Sequence, residues 1–195
     1  MKTLRSVPFF GIISFLVTIP FSLPAAAAQT YKIDPVHSSV IFRIKHLDIT
    51  YVYGRFNTPS GTLQFDRNDE NNNAIEMKVE AVNVDTDNSK RDKHLQSEDF
   101  FHVIQYPYIS FKSNSFKEIE PDVYEVSGDL TLHGVTKPLT VTARHTGSGE
   151  DPWGGQRIGF ESTFPVTRSD FGVAGSPDSV ADAVQITVSI EAIRQ

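Results

Sequence analysis

The chain has 195 residues, no cysteine, and 24 acidic against 18 basic residues, for a net charge of −6. Thiol chemistry and thiolate metal sites are excluded, so stability has to come from packing. An acidic chain whose sequence shows no basic stripe points away from nucleic acid and from attraction to an anionic membrane surface.

The first 28 residues do not belong to the fold. Lys2 and Arg5 give a basic start, Phe9 to Ile19 is apolar apart from Gly11, Ser14 and Thr18, and Ala26-x-Ala28 closes the segment. This is the layout of a cleaved secretory signal peptide, residues 1–28, which implies a periplasmic protein. An uncleaved anchor is disfavoured, because Pro8, Pro20 and Pro24 interrupt the run of about 20 residues a spanning helix needs. Cleavage leaves residues 29–195 as one domain, with 16 basic against 24 acidic residues once Lys2 and Arg5 are gone. No stable membrane insertion is expected of it.

The mature chain is dominated by period-two alternation, the mark of strands with one dry face. Val36, Val40, Phe42 and Ile44 share a face against His37, Ser39, Arg43 and Lys45. Val52, Gly54 and Phe56 follow, with Gly54 a bulge or a close backbone approach. Arg67 to Asn73 reads as an exposed hairpin loop. Ile75, Met77, Val79 and Ala81 then alternate with Glu76, Lys78 and Glu80. Asp85 to Phe101 breaks the rhythm and predicts a helical insertion, with Asp87 or Asn88 as one cap and Ser97 as a second.

Strands resume at Tyr108 to Phe116, with Phe111 inward, and at Tyr124 to Leu132, with Val126 and Leu130 on the dry phase. Leu139 to Arg144 carries Val141, Arg157 to Phe164 carries Phe160 and Phe164, and the last strand, Ala183 to Ile193, carries Val188. Tight turns are expected at Glu120-Pro121-Asp122 and Leu132-His133-Gly134, and a longer loop from Gly147 to Gly155. About eight to ten one-faced strands at this spacing predict an all-β antiparallel barrel of lipocalin-like form with a short helical insertion.

Motifs for chemistry are missing. The six histidines form neither His-x-His nor HExxH, and no nucleophile elbow, Walker pattern or G-x-G-x-x-G occurs. No catalytic residue, metal or cofactor is therefore assigned, and the chain is not expected to be an enzyme. Its abundant feature is bulky apolar side chains of inward parity, among them Phe42, Phe56, Phe65, Met77, Phe111, Phe160 and Phe164. These either fill a core or line a cavity, and an eight-stranded barrel lies at the threshold between the two.

One ordered set of residues carries a resemblance. Tyr31-x-Ile33-Asp34-x-x-His37-Ser38-x-Val40-x-Phe42-x-x-x-His46 is followed by Gly54-x-Phe56 and Gly61-x-Leu63-x-Phe65-Asp66. Arg91-x-x-x-Leu95-x-Ser97-x-Asp99-Phe100-Phe101 and Tyr106-Pro107-x-Ile109-x-Phe111-x-Ser113 come next. Gly128-x-Leu130-x-Leu132-x-Gly134-Val135-Thr136-x-Pro138 and Arg168-x-Asp170-Phe171-Gly172 complete it. The set resembles the YceI-like family of exported polyisoprenoid-binding proteins over essentially the whole mature chain. The resemblance implies a barrel holding a long isoprenoid or similar amphiphilic lipid, for sequestration or transport.

The thirteen inward positions Val40, Phe42, Ile44, Phe56, Met77, Val79, Phe111, Val126, Leu130, Val141, Phe160, Phe164 and Val188 are then the lipid-binding candidates. Hydrocarbon burial at about 0.8 kcal/mol per CH₂ gives a chain of roughly twenty carbons on the order of 16 kcal/mol. Association and ordering cost ~4–15 kcal/mol, so affinity needs no polar contact. A phosphate head group would call for a cation at the mouth, and Arg91, Lys93 and Arg168 are the candidates, with His37 and His46 behind them. Two alternatives stay open, an enzyme on a barrel scaffold acting on small apolar substrates and a stress-associated interaction module with a filled core. A homodimer stays open as well.

Overall fold

The computed structural model describes residues 28–195; the expected signal peptide, all but Ala28, lies outside the described residues. The described chain forms one antiparallel sheet of eleven strands, against the eight to ten expected. These are β1 (Gln29–Ile33), β2 (Ser39–His46), β3 (Thr50–Phe56), β4 (Ser60–Phe65), β5 (Ala74–Glu80) and β6 (Val84–Asp85). After helix α1 (Ser89–Gln96) come β7 (Tyr108–Glu120), β8 (Val123–Leu132), β9 (Val135–Glu150), β10 (Gln156–Thr167) and β11 (Val180–Arg194).

Eight of them close a barrel in the order β1-β4-β5-β7-β8-β9-β10-β11, with β11 returning to β1 through Tyr31 opposite Arg194 and Ile33 opposite Ala192. The length of β11 lets it serve two partners on one edge. Its last residues pair β1, and its stretch from Val180 to Ser189 pairs β2, to which β3 and β6 add as a flank. The expected lipocalin-like barrel is thus present, with extra strands and a single α-helix.

Local chemistry explains the joints. His133 and Gly134 both take positive φ, 51° and 73°, in the two-residue turn joining β8 to β9, the conformation that matches strand twist in a tight hairpin. Asn88 caps α1 by accepting from the Arg91 N–H at 3.0 Å. Gly54 pairs Phe42 in unbroken register, so it is a close approach and not a bulge. A Cβ there would lie 2.3 Å from Cζ of Phe42 and 2.7 Å from Cγ2 of Thr86.

Several expectations need correction. Ser97 starts no second helix: its N–H and its hydroxyl both bond the His94 carbonyl, at 3.1 and 2.7 Å, which ends α1. Val36 and His37 are not on β2. The Asp34 carboxylate accepts the Val36 N–H at 2.9 Å and bends the chain ahead of the strand, leaving Val36 80% exposed. β9 runs on to Glu150 because Gly147 and Gly149 pair Gly159 and Arg157, so the loop carrying Trp153 spans only residues 151–155. In the loop after β4, Asn73 is buried and accepts the Asp66 N–H at 2.6 Å.

Candidate functional site

The barrel encloses a cavity of about 550 Å³. Its floor is an aromatic cluster in which Phe65, Phe116, Tyr124 and Phe160 meet largely edge to face, with centroids 5.3 to 6.1 Å apart. Beneath it, Asp122 accepts from Arg67 and faces Nδ1 of His145 at 2.9 Å. The Arg67 guanidinium, with His145 second, holds the Asp122 carboxyl below the usual carboxylate range.

All thirteen apolar positions expected from strand parity line the cavity. The alternation also implied Leu139, Val184 and Ile186, which line it too. Four further apolar wall residues come from outside the strands: Leu95 from α1, Phe100 and Phe101 after it, and Val173 in the loop before β11. Period-two reasoning has no purchase there, because no strand phase exists to read. These side chains form a lid at the end away from the floor, where Phe101 meets the Phe56 ring edge-on at 5.4 Å. On the outer face of β5, Glu76, Lys78 and Glu80 are exposed, as the alternation requires.

The lid end is also the polar end. His46, Thr86, Arg91, His94, Ser176 and Ser179 line the cavity here. Arg91 reaches in from α1, its Nε donating to the Thr86 hydroxyl and one Nη to the Thr86 carbonyl, both at 2.7 Å. Asp92 accepts from the Thr86 N–H at 2.9 Å and from its hydroxyl, which fixes the platform on which Arg91 rests. Glu161, an exposed residue, is the one carboxylate on the wall among the described residues.

Two head-group candidates are corrected by their surroundings. Arg168 is 6% exposed and lines the cavity, but its guanidinium is committed to backbone. It donates to the carbonyls of Val173, Gly175, Ala181 and Val180 at 2.7 to 3.3 Å, clamping the 168–179 loop onto β11. A buried guanidinium needs such acceptors, and they leave it little to offer a ligand. His37 is not at the cavity at all. It sits beyond the start of β2, with Nδ1 2.8 Å from the Asp34 carboxylate and 3.8 Å from Glu191.

Asp34, His37 and Glu191 place donor atoms within 4.8 Å of one another, a spacing that could hold a cation. Arg157 already fills that role. Its Nη1 bonds Asp34 at 2.9 Å and also Glu191, while its Nε bonds Asp151 at 2.7 Å. Hydrogen bonding from His37, helped by the Val36 N–H and Arg157, lowers the Asp34 pKa to about 2 against the opposing effect of burial. The group is an ion-pair network tying β1, β10 and β11 together.

A closed antiparallel barrel with an apolar interior, one aromatic floor and one polar end defines the architecture of a small-ligand-binding barrel. The YceI-like domain model matches residues 31–192, and the chain belongs to the YceI-like family. Protein YceI of Escherichia coli O157:H7 is 38% identical over 180 residues, covering 91% of this chain and 94% of that protein. Among solved structures, BcnA of Burkholderia cenocepacia superposes with a TM-score of 0.75 at 23% identity, covering 82% of this chain and 98% of BcnA. A polyisoprenoid binding domain from Saccharophagus degradans superposes with a TM-score of 0.65 at 12% identity, covering 86% of this chain and 99% of that domain. No helix among the described residues is long and apolar enough to cross a membrane.

Proposed function

We propose that this protein is an exported, periplasmic binding protein that holds a long isoprenoid or similar amphiphilic lipid in its barrel, for sequestration or transport. The carrying observation is the cavity itself: about 550 Å³ whose wall is predominantly apolar, with polar groups gathered at the lid end. An unfilled apolar space of that size forfeits dispersion contacts on every wall residue, and a hydrocarbon chain restores them. The hydrocarbon lies between Phe42, Met77, Phe111 and Phe160, with the polar end of the ligand near Arg91 and His46. The polyisoprenoid binding domain of S. degradans supports the barrel; the ligand class rests on the cavity.

Mass spectrometry of an organic extract from freshly purified protein tests the proposal. One lipid molecule per protein is expected. Failure to recover a stoichiometric lipid, together with failure to take up polyprenyl phosphates or prenylated quinones on incubation, overturns it.

A further inference from the structure

We propose that the outer face and tip of the β2–β3 hairpin form a docking surface for an anionic lipid bilayer, which brings the polar end of the cavity against the membrane. The proposal takes its purpose from the lipid reading above; its contact geometry comes from the hairpin alone.

Phe42, Ile44, Val52 and Phe56 point into the cavity, so the alternate positions on both strands point out. The pairing sets Arg43 opposite Tyr53, Lys45 opposite Tyr51 and Ile41 opposite Arg55. Three cations and two tyrosines thus share one face, with Asp85 of β6 opposite Arg55 at its edge, although no basic stripe is visible in the linear sequence. Tyr51 and Tyr53 are 48% and 58% exposed, and the Arg43 guanidinium lies 4.7 Å over the Tyr51 ring. Among the described residues neither Arg43 nor Arg55 has a carboxylate within 4.0 Å, and Lys45 has only the exposed Asp48, at 3.6 Å. Tyrosine beside Lys and Arg is the composition suited to the headgroup layer, where amphipathic rings and cations find both apolar and anionic contacts.

The tip adds an apolar element. Leu47 and Asp48 occupy the turn at φ of 51° and 55°, where Asn-Gly is the ordinary choice and a leucine is strained. Leu47 is 52% exposed there, next to Ile49 at 81%. The tip adjoins the cavity's polar end: His46 lines the cavity, and the Leu47 N–H bonds the carbonyl of Ser179, another wall residue. The mature chain's excess of acidic residues, 24 against 16 basic, opposes an anionic surface, but at physiological salt charges act over about 8 Å, so the local face governs contact.

Vesicle flotation tests this on the intact mature protein. Vesicles of phosphatidylcholine mixed with phosphatidylglycerol should carry the protein up, and vesicles of phosphatidylcholine alone should carry far less. Replacing Arg43, Lys45 and Arg55 with Ser should reduce partitioning by about ten- to a hundredfold, and added salt should mimic part of that loss. Leu47→Asp with Ile49→Asp should reduce it by about tenfold or more. Thermal melts confirm that each variant folds. Wild type that stays unbound with both vesicles overturns the proposal, as does binding that none of the substitutions weakens. Self-association through the hairpin on size exclusion, or retention of single-stranded DNA in place of vesicles, overturns it in favour of another occupant. Vesicle binding is read independently of extracted lipid, so an empty cavity sinks the cargo alone and an unbound protein sinks the docking alone.

Discussion

Met77 and Lys78 are neighbours on β5 and both border the cavity, but the Met77 side chain packs in the apolar core while Lys78 is exposed, its ammonium 4.6 Å over the Tyr108 ring. Met77→Glu puts a carboxylate against hydrocarbon, where desolvation costs several kcal/mol unless the group takes up a proton. Loss of lipid or of folding is expected, read by extraction and by urea unfolding. Lys78→Glu should leave both within ~0.5 kcal/mol. The two cavity arginines divide in the same way. Arg91→Gln should weaken an isoprenoid phosphate by about 1.5–3 kcal/mol and leave an isoprenoid quinone unchanged, as measured by parallel titrations. Arg168→Gln should instead lower unfolding stability by about 2–4 kcal/mol, because it leaves buried carbonyls of the 168–179 loop without donors. Equal effects of both substitutions on both ligands would contradict this division of roles.

At the scale of elements, β11 decides the closure, since one edge of it must hold β1 near its end and β2 before that. The join lies beside the Asp34, His37, Arg157 and Glu191 network, which bridges the corner between β1 and β2 to β10 and β11. The Asp34 pKa of about 2 lies below its ordinary value of 3.8, so the folded state favours the carboxylate. The stabilisation is fully present above about pH 4 and is lost as pH falls through 2. Urea midpoints across that window should fall for the wild type. Asp34→Asn should be less stable at pH 7 and show a flatter acid limb. Parallel acid limbs would assign the shift no energetic weight.

For the whole molecule, the cavity lies between two packed ends, each with its own aromatic cluster. Phe65, Phe116, Tyr124 and Phe160 fill the floor, while α1 and the 168–179 loop cover the other end. Most strands, their inward faces and the thirteen apolar wall positions are legible in the linear chain, since side-chain parity is a local property of an extended backbone. So is α1, through the lost alternation and the Asn88 cap. Other features exist only once the chain has folded. Leu95, Phe100, Phe101 and Val173 reach the wall from segments with no period, and their direction depends on where the lid packs. Arg168 reads as a free cation in the linear chain, and only folding surrounds it with carbonyls. His37 reads as a strand residue until the Asp34 side chain bends the backbone. The cations of the hairpin become one face only when β2 pairs β3. Parity assigns a side chain to a face; which residues share that face across strands is set by register and closure, which are non-local.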